Sequence, residues 1–237
     1  ISRQLLGMSW SYITFRVINE AARLANSREL RSPIRNGVLF GHLTDGFVAT
    51  QAMAIRRLMD KRKDVISLRR LVDDIQAHRL LFTREIFVGY DGAPFDPTPQ
   101  HEAWWAAQMA SRSGEGVRVS SERYETSGPA AWDFAEQLHE AFDRLARNTG
   151  ANPHREECVS EAVFSRLDEL LDADVFKKIR RLANKRIAHA ADAKSRGAGA
   201  QGIDGISFRE IDEAHRRLIV VGNFVSSFFL YQTNLAP

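Results

Sequence analysis

Apolar side chains recur every three or four residues through most of the chain, and the recurrence predicts helices rather than strands. Leu6, Trp10, Ile13, Val17, Ala21 and Leu24 form one stripe of a helix over residues 3 to 27. Ser32-Pro33 predicts the start of a second helix, with Ser as N-cap and Pro in the first turn, running to about Asp60. The charged string Asp60-Lys61-Arg62-Lys63-Asp64 reads as a turn, and Ser67 as the cap of a third helix to about Glu85. A short helix is expected from about His101 to Ser111, another from Pro129 to about Arg147, and one opening at Asn152-Pro153 and breaking near Asp172. Asp174 is expected to cap the next helix, through about Ala191. Ser207-Phe208-Arg209-Glu210 has the form of a capping box, and Ile211, Ala214, Leu218, Val221 and Val225 then share one face of the last helix. Phe224, Phe228 and Phe229 widen that apolar surface toward a buried helix or a dimer interface.

Alternating apolar and polar runs are scarce, so no sheet of three or more strands is expected. Between the helices, Phe87 to Gln100 carries Gly89, Gly92, Pro94, Pro97 and Pro99, which break any helix; Ser113 to Gly128 and Lys194 to Gly205 also read as loops. The expectation is an all-α chain, a single domain over residues 1–237, with loop insertions between its helices.

Composition narrows the function classes. The 237 residues are 44% hydrophobic and 27% charged, as in a soluble globular protein, and the net charge of +3 is too small to argue for nucleic-acid binding by itself. The single cysteine, Cys158, excludes an intramolecular disulfide and suggests a reducing compartment. Glu156, Glu157 and Glu161 around it disfavour a thiolate. No apolar run reaches the roughly 18 residues that a membrane span needs, and no signal peptide is visible, so a cytoplasmic location without membrane association is expected. The seven histidines form no His-x-x-x-His pair, and no phosphate-binding loop is present, so neither a metal nor a cofactor is expected. Trp104-Trp105 reads as one core ring and one interface ring.

The most distinctive stretch is basic. Lys177, Lys178, Arg180, Arg181, Lys185 and Arg186 precede His189, with no acidic residue between Val175 and Ala191. At about 100° per residue, Arg186, Lys185, Leu182 and Lys178 lie within about 60° of His189. Phe176, Ile179, Ala183, Ile187 and Ala190 form a second face about 120° away, suited to burial. A histidine among cations suits a phosphate-bearing partner and proton transfer. A run of Lys and Arg on a helix is also the ordinary form of a solvated face.

The string Asn184-Lys185-Arg186-Ile187-Ala188-His189-Ala190-Ala191-Asp192 resembles the C-terminal helix motif of the HEPN superfamily, most closely its AbiU-type branch, known from bacterial abortive-infection systems. Ala54-Ile55-Arg56-Arg57-Leu58-Met59-Asp60 resembles that branch's second-helix ending, and Ser67-Leu68-Arg69-Arg70-Leu71 the following helix start. The resemblance implies an all-α HEPN-like helical bundle, RNA as partner, a homodimer, an antitoxin or other protein partner, and metal-independent ribonuclease chemistry in phage defence or a toxin system. It assigns His189 to acid/base transfer, Arg186 or Arg181 to charge stabilisation and Asn184 to positioning. Lys177, Lys178, Arg180 and Lys185 would hold RNA. The family's catalytic arginine would fall where this chain has Ala183. That departure keeps open a non-catalytic HEPN-like interaction or nucleotide-binding module, or a basic face docking an acidic partner. Arg35 and His42 match the Arg–His spacing literally, but near the start of the second helix.

Overall fold

The computed structural model describes residues 1–27, 37–88, 98–111, 129–148, 154–184 and 206–230. Its elements are helical: α1 (Ser2–Ser27), α2 (Gly37–Leu58), α3 (Leu68–Ala77), α4 (Arg84–Val88), α5 (Thr98–Ser111), α6 (Pro129–Ala146), α7 (Glu161–Leu171), α8 (Asp174–Leu182) and α9 (Phe208–Phe229), with a 3-10 turn at Arg79–Leu81. Among the described residues the only extended pairing is a single antiparallel bridge between Thr83 and Cys158. The chain is all-α, as its periodicity predicts. It divides into two compact units, one of Ile1–Ile75 with Ser165–Pro237, the other of Gln76–Phe164.

In the first unit, α2 packs on α1, α8 and α9, and α9 also packs on α1 and α8. The expected α9 face is confirmed: Ile211, Ala214, Leu218, Val221 and Val225 are all buried. The capping box is complete, with the Ser207 hydroxyl accepting from the Glu210 N–H and the Glu210 carboxylate accepting from the Ser207 N–H. Phe229 is buried, so part of the aromatic end belongs to this unit's own core. Gly222 lets α1 come close, since a Cβ there would stand 2.6 Å from Leu5 Cδ1.

The helix expected over residues 3 to 27 is present, and the apolar stripe read along it is not the side that packs. Leu5, Met8, Phe15, Ala22 and Ala25 are buried, whereas Leu6, Trp10, Ile13, Val17 and Leu24 are exposed, Trp10 to 57% and Val17 to 64%. Both sides of this helix carry apolar side chains at helical spacing, and the side with the smaller residues and Phe15 is the one that faces α2 and α9.

Three boundaries also differ. The third helix stops at Ala77, and Arg84 begins a separate short helix whose first N–H bonds to the Glu157 carbonyl at 2.8 Å. The helix expected from Asn152-Pro153 starts at Glu161, because residues 157–159 run extended beside Phe82–Arg84. Asp174 is not a cap: Ala173 holds that position without a side-chain bond, and Asp174 instead pairs with Lys177 at 2.8 Å. The loops at 113–128 and 194–205 and the Ser32-Pro33 start lie outside the described residues.

In the second unit, α6 ends with Arg147 in the left-handed region at φ 58°, and the Asn148 N–H reaches back to the Asp143 carbonyl at 3.0 Å, closing the helix in a Schellman turn. That turn sets Asn148 to donate to Glu157 at 2.8 Å. Glu157 and Asp143 both grip Arg84, a fully buried guanidinium that also stands 3.3 Å from His139 Nδ1 and 4.8 Å from the centre of the Phe142 ring. Trp104 is half-buried on α5 and Trp105 is exposed.

A buried polar relay ties α1, α2 and α9. His215 Nε2 donates to Gln51 Oε1 at 2.7 Å, and the Gln51 amide donates to the Met8 carbonyl at 3.2 Å. This needs a proton on Nε2, which in the neutral imidazole is the Nε2–H tautomer. Burial pushes the His215 pKa down to about 4, against the nearby Asp212 charge. A folded value below the unfolded one means that the native state binds fewer protons between pH 6.5 and 4, so stability should fall as pH drops through that window. Glu210, held near 2 by Lys178 and the Ser207 backbone, adds a second loss as pH falls below about 4.5. Urea midpoints measured from pH 7.5 to 3 should decline in these two stages. His215→Gln should lack the upper stage, and an unchanged upper stage in that variant would remove His215 as its source.

Candidate nucleic-acid interface

α8 is strongly two-sided. Val175, Phe176, Ile179, Leu182 and Ala183 are buried, and Lys177, Lys178, Arg180 and Arg181 are exposed. Leu182 therefore belongs to the core rather than to an open face shared with the histidine. The helix widens into a π turn at Ala183 and Asn184, where the 100° reckoning ends. Asn184 is half-buried, and its Oδ1 is shielded from solvent with no hydrogen-bond partner among the described residues. Lys185, Arg186 and His189 lie outside the described residues, as does Arg35; His42 is exposed on α2.

The four described cations of α8 differ in what they are free to do. Lys177 is held by Asp174, and Lys178 by Glu210 at 2.6 Å. Arg180 and Arg181 have no salt bridge among the described residues. Elsewhere Arg69, Arg84, Arg166, Arg216 and Arg217 each hold at least one carboxylate, whereas Arg3, Arg16, Arg79, Arg147 and Arg209 hold none among the described residues.

The end of α2 brings more. A cavity of about 190 Å³ lies between α2, the end of α7 and the start of α8, with Arg56, Lys61, Lys177 and Arg180 on its wall. A second, of about 390 Å³, is lined by Arg56, Arg57 and Arg62. Arg56 faces both and so joins them into one cationic surface. The carboxylates nearby are already engaged. Asp60 accepts from the Arg62 backbone N–H and guanidinium, which lowers its pKa, and Asp172 is shared by Arg69 and Lys61. Arg56 and Arg57, like Arg180 and Arg181, hold no carboxylate among the described residues. Such a surface is suited to successive phosphates, which guanidiniums bind in a bidentate manner. Charge along α8 alone does not reveal Arg56 and Arg57; the signal was present in the Ala54–Asp60 string, which the chain shares with a family motif.

α2 carries that string and ends at Leu58, Ser67 Oγ accepts from the Arg70 N–H at 3.1 Å, and the smaller cavity opens between α2 and α8; of the motif that begins at Asn184, only Asn184 is among the described residues. The HEPN_AbiU2 family model, described as AbiU2, matches residues 3–234. The chain belongs to the AbiU2 family of HEPN proteins. No curated protein and no solved structure matches it significantly. Family membership covers both units and places the α2 and α8 motifs in the same matched region. Among the described residues no helix is long and apolar enough to cross a membrane, and no group of three or more His, Cys, Asp or Glu is placed to hold a metal ion.

Proposed function

We propose that this AbiU2-family chain binds RNA on the surface formed by α8 and the end of α2, in the cytoplasm, as part of a phage-defence or toxin system. The carrying observation is the set of three guanidiniums, Arg56, Arg57 and Arg180, around two adjoining cavities, without carboxylate partners among the described residues, with Arg181 exposed and likewise without a salt bridge on the same helix as Arg180. Lys177 and Lys178 play a lesser part in this reading, since each already has an anion. Lys185 would extend the phosphate contacts.

The family resemblance supplies the chemistry proposed for the bound RNA. The 2′-OH attacks the adjacent phosphate, its proton passes to a base, and the departing 5′-oxygen takes up a proton, leaving a 2′,3′-cyclic phosphate. His189 is the acid/base group in this reading. Arg186 or Arg181 stabilises the phosphorane-like charge, and Asn184 positions the substrate. A homodimer completes the site, and the exposed Leu6–Trp10–Ile13–Val17 stripe of α1 offers apolar area to hold two mutually repelling basic surfaces together. An antitoxin or other protein partner fits the same setting.

A second reading is a non-catalytic RNA- or partner-binding module. Its support is Ala183, which is fully buried at the position where the family carries arginine.

Sedimentation of the protein with labelled single-stranded RNA tests binding and association together. The complex should have the mass of a dimer. Arg180→Ala with Arg181→Ala should weaken binding, and each substitution should reduce the slope of log K against log salt by about 0.7, one phosphate contact apiece. Arg56→Ala should do the same. A monomer at high concentration, or RNA affinity indifferent to these arginines, would remove the corresponding part of the proposal.

A further inference from the structure

The first unit has another cavity, about 300 Å³ in volume, between α1, α2 and the first turn of α9. None of the arginines assigned to RNA lines it. One side of it is aromatic. Phe15 and Phe47 stack with centroids 4.0 Å apart and planes 6° from parallel, and the Phe208 ring leans over both, at 40° to Phe15 and 46° to Phe47. Phe15 and Phe47 are buried, but Phe208 remains 44% exposed, which leaves a large apolar ring uncovered at the cavity.

The other side keeps unlike charges apart. Arg16 Nη1 donates to the Tyr12 hydroxyl at 3.4 Å, and that hydroxyl donates to Asp212 Oδ1 at 2.6 Å. Guanidinium and carboxylate thus stand one hydroxyl apart, where a direct ion pair would have neutralised both. Burial alone would raise the Asp212 pKa, but the bonds from Tyr12 and Arg216 outweigh it and hold it below the ordinary carboxylate value, so Asp212 is an anion at neutral pH. Burial and the bond to Asp212 raise the Tyr12 pKa, so the hydroxyl keeps its proton. Tyr12 engages one Asp212 oxygen and Arg216 the other, and each oxygen retains a lone pair for a further N–H. Arg209 also lines the cavity, and neither it nor Arg16 has a salt bridge among the described residues. A purely structural aromatic cluster needs neither the separated charges nor the opening.

We propose that this cavity binds a free α-amino acid with an aromatic or large aliphatic side chain, its carboxylate on Arg16 and Arg209, its ammonium on Asp212 and its side chain against Phe208. An α-amino acid carries both charges on one carbon, and the Arg16–Tyr12–Asp212 chain holds the complementary charges one hydroxyl apart. Guanidiniums suit the carboxylate because they bind it in a bidentate manner. A ligand of one sign fits less well: a plain carboxylate brings a like charge toward Asp212, and a plain amine brings one toward the two guanidiniums. The volume is at the small end of ligand pockets, which suits a single residue rather than a peptide. The site shares no residue with the surface assigned to RNA and does not depend on that reading.

Calorimetry and saturation-transfer NMR on the full chain test it, with L-phenylalanine, L-tryptophan and L-leucine as probes. Each of three analogues lacks one feature: hydrocinnamate the ammonium, phenethylamine the carboxylate, and glycine the side chain. Each should bind about tenfold more weakly than L-phenylalanine or worse, the scale of one lost charge-assisted hydrogen bond or apolar contact. Phe208→Ala should weaken L-phenylalanine about tenfold, as expected for one lost aromatic contact. Arg209→Ala should weaken L-phenylalanine and hydrocinnamate but not phenethylamine. Asp212→Asn should weaken L-phenylalanine and leave hydrocinnamate at least as tight as in wild type. Saturable binding with these dependences supports the site. If none of the three amino acids binds wild type at about 1 mM, the cavity is not an amino-acid site. The same conclusion follows if hydrocinnamate or N-acetyl-L-phenylalanine binds as tightly as L-phenylalanine, or if Phe208→Ala and Asp212→Asn bind it as wild type does. Phe208 is half-exposed, so a helical circular-dichroism spectrum identical to wild type should show that its removal leaves the fold intact.

Discussion

Arg84→Met is expected to destabilise the Gln76–Phe164 unit by about 3 kcal/mol, the lower end of the range for removing one partner of a buried ion pair. Arg84 is wholly inside, and its guanidinium is the shared counter-charge of Asp143 and of Glu157, the latter at 2.6 Å. Burial works against its charge, but the hydrogen bonds and charges of those two carboxylates outweigh it and raise its pKa. Methionine keeps much of the stem volume and the contact with Phe142 while leaving two carboxylates without their cation. Their side chains are 23% and 19% exposed, so water relieves part of the cost, which is why the lower end applies. Asp143→Asn should cost less, since Glu157 remains. Three of the four tryptophans, Trp104, Trp105 and Trp132, lie in this unit, so urea unfolding followed by tryptophan emission reports on it preferentially. The midpoint should fall by roughly 1–3 M. An unchanged midpoint would show that the cluster contributes no net stability.

Nothing in the local sequence announces Arg84. Its partners are 59 and 73 residues away, and each carboxylate taken alone reads as a solvated charge. Local signals were legible where one segment carries the whole determinant. The α9 start is one case, because Ser207 and Glu210 cap each other within a single turn. The buried face of α8 is another, because Val175, Phe176, Ile179 and Ala183 alternate with charges at a period only a helix satisfies. α1 shows the opposite situation. Leu6–Trp10–Ile13–Val17 and Leu5–Met8–Phe15–Ala22 both have helical spacing, so periodicity identifies the helix and leaves its orientation to the packing partners. The candidate site was legible by halves. The cations of α8 stand out as a run, whereas Arg56 and Arg57 join them only when α2 packs against α8. Pairing also depends on the fold: Lys178 stands among free cations in the linear chain, and Glu210 meets it from 32 residues away.

His189→Ala is expected to reduce RNA cleavage by about a hundredfold or more while leaving RNA affinity nearly unchanged, because removing a positioned proton-transfer group raises the barrier without removing phosphate contacts. Arg180→Ala should do the reverse, weakening binding with a smaller effect on the rate at saturating RNA. Cleavage by 2′-OH attack should leave 2′,3′-cyclic phosphate ends and persist in EDTA, since proton transfer and a guanidinium suffice for that step. Phosphate-end analysis after a single turnover distinguishes this from metal-assisted hydrolysis, which leaves a 3′-hydroxyl or a linear phosphate. The decisive contrast lies at Ala183. A fully buried alanine there cannot place a guanidinium beside the scissile phosphate, so catalysis requires Arg181 or Arg186 to supply that charge. If wild type binds RNA through Arg56 and Arg180 yet never cuts it, neither arginine does so, and the buried Ala183 marks a chain that retains the RNA-binding surface without turnover.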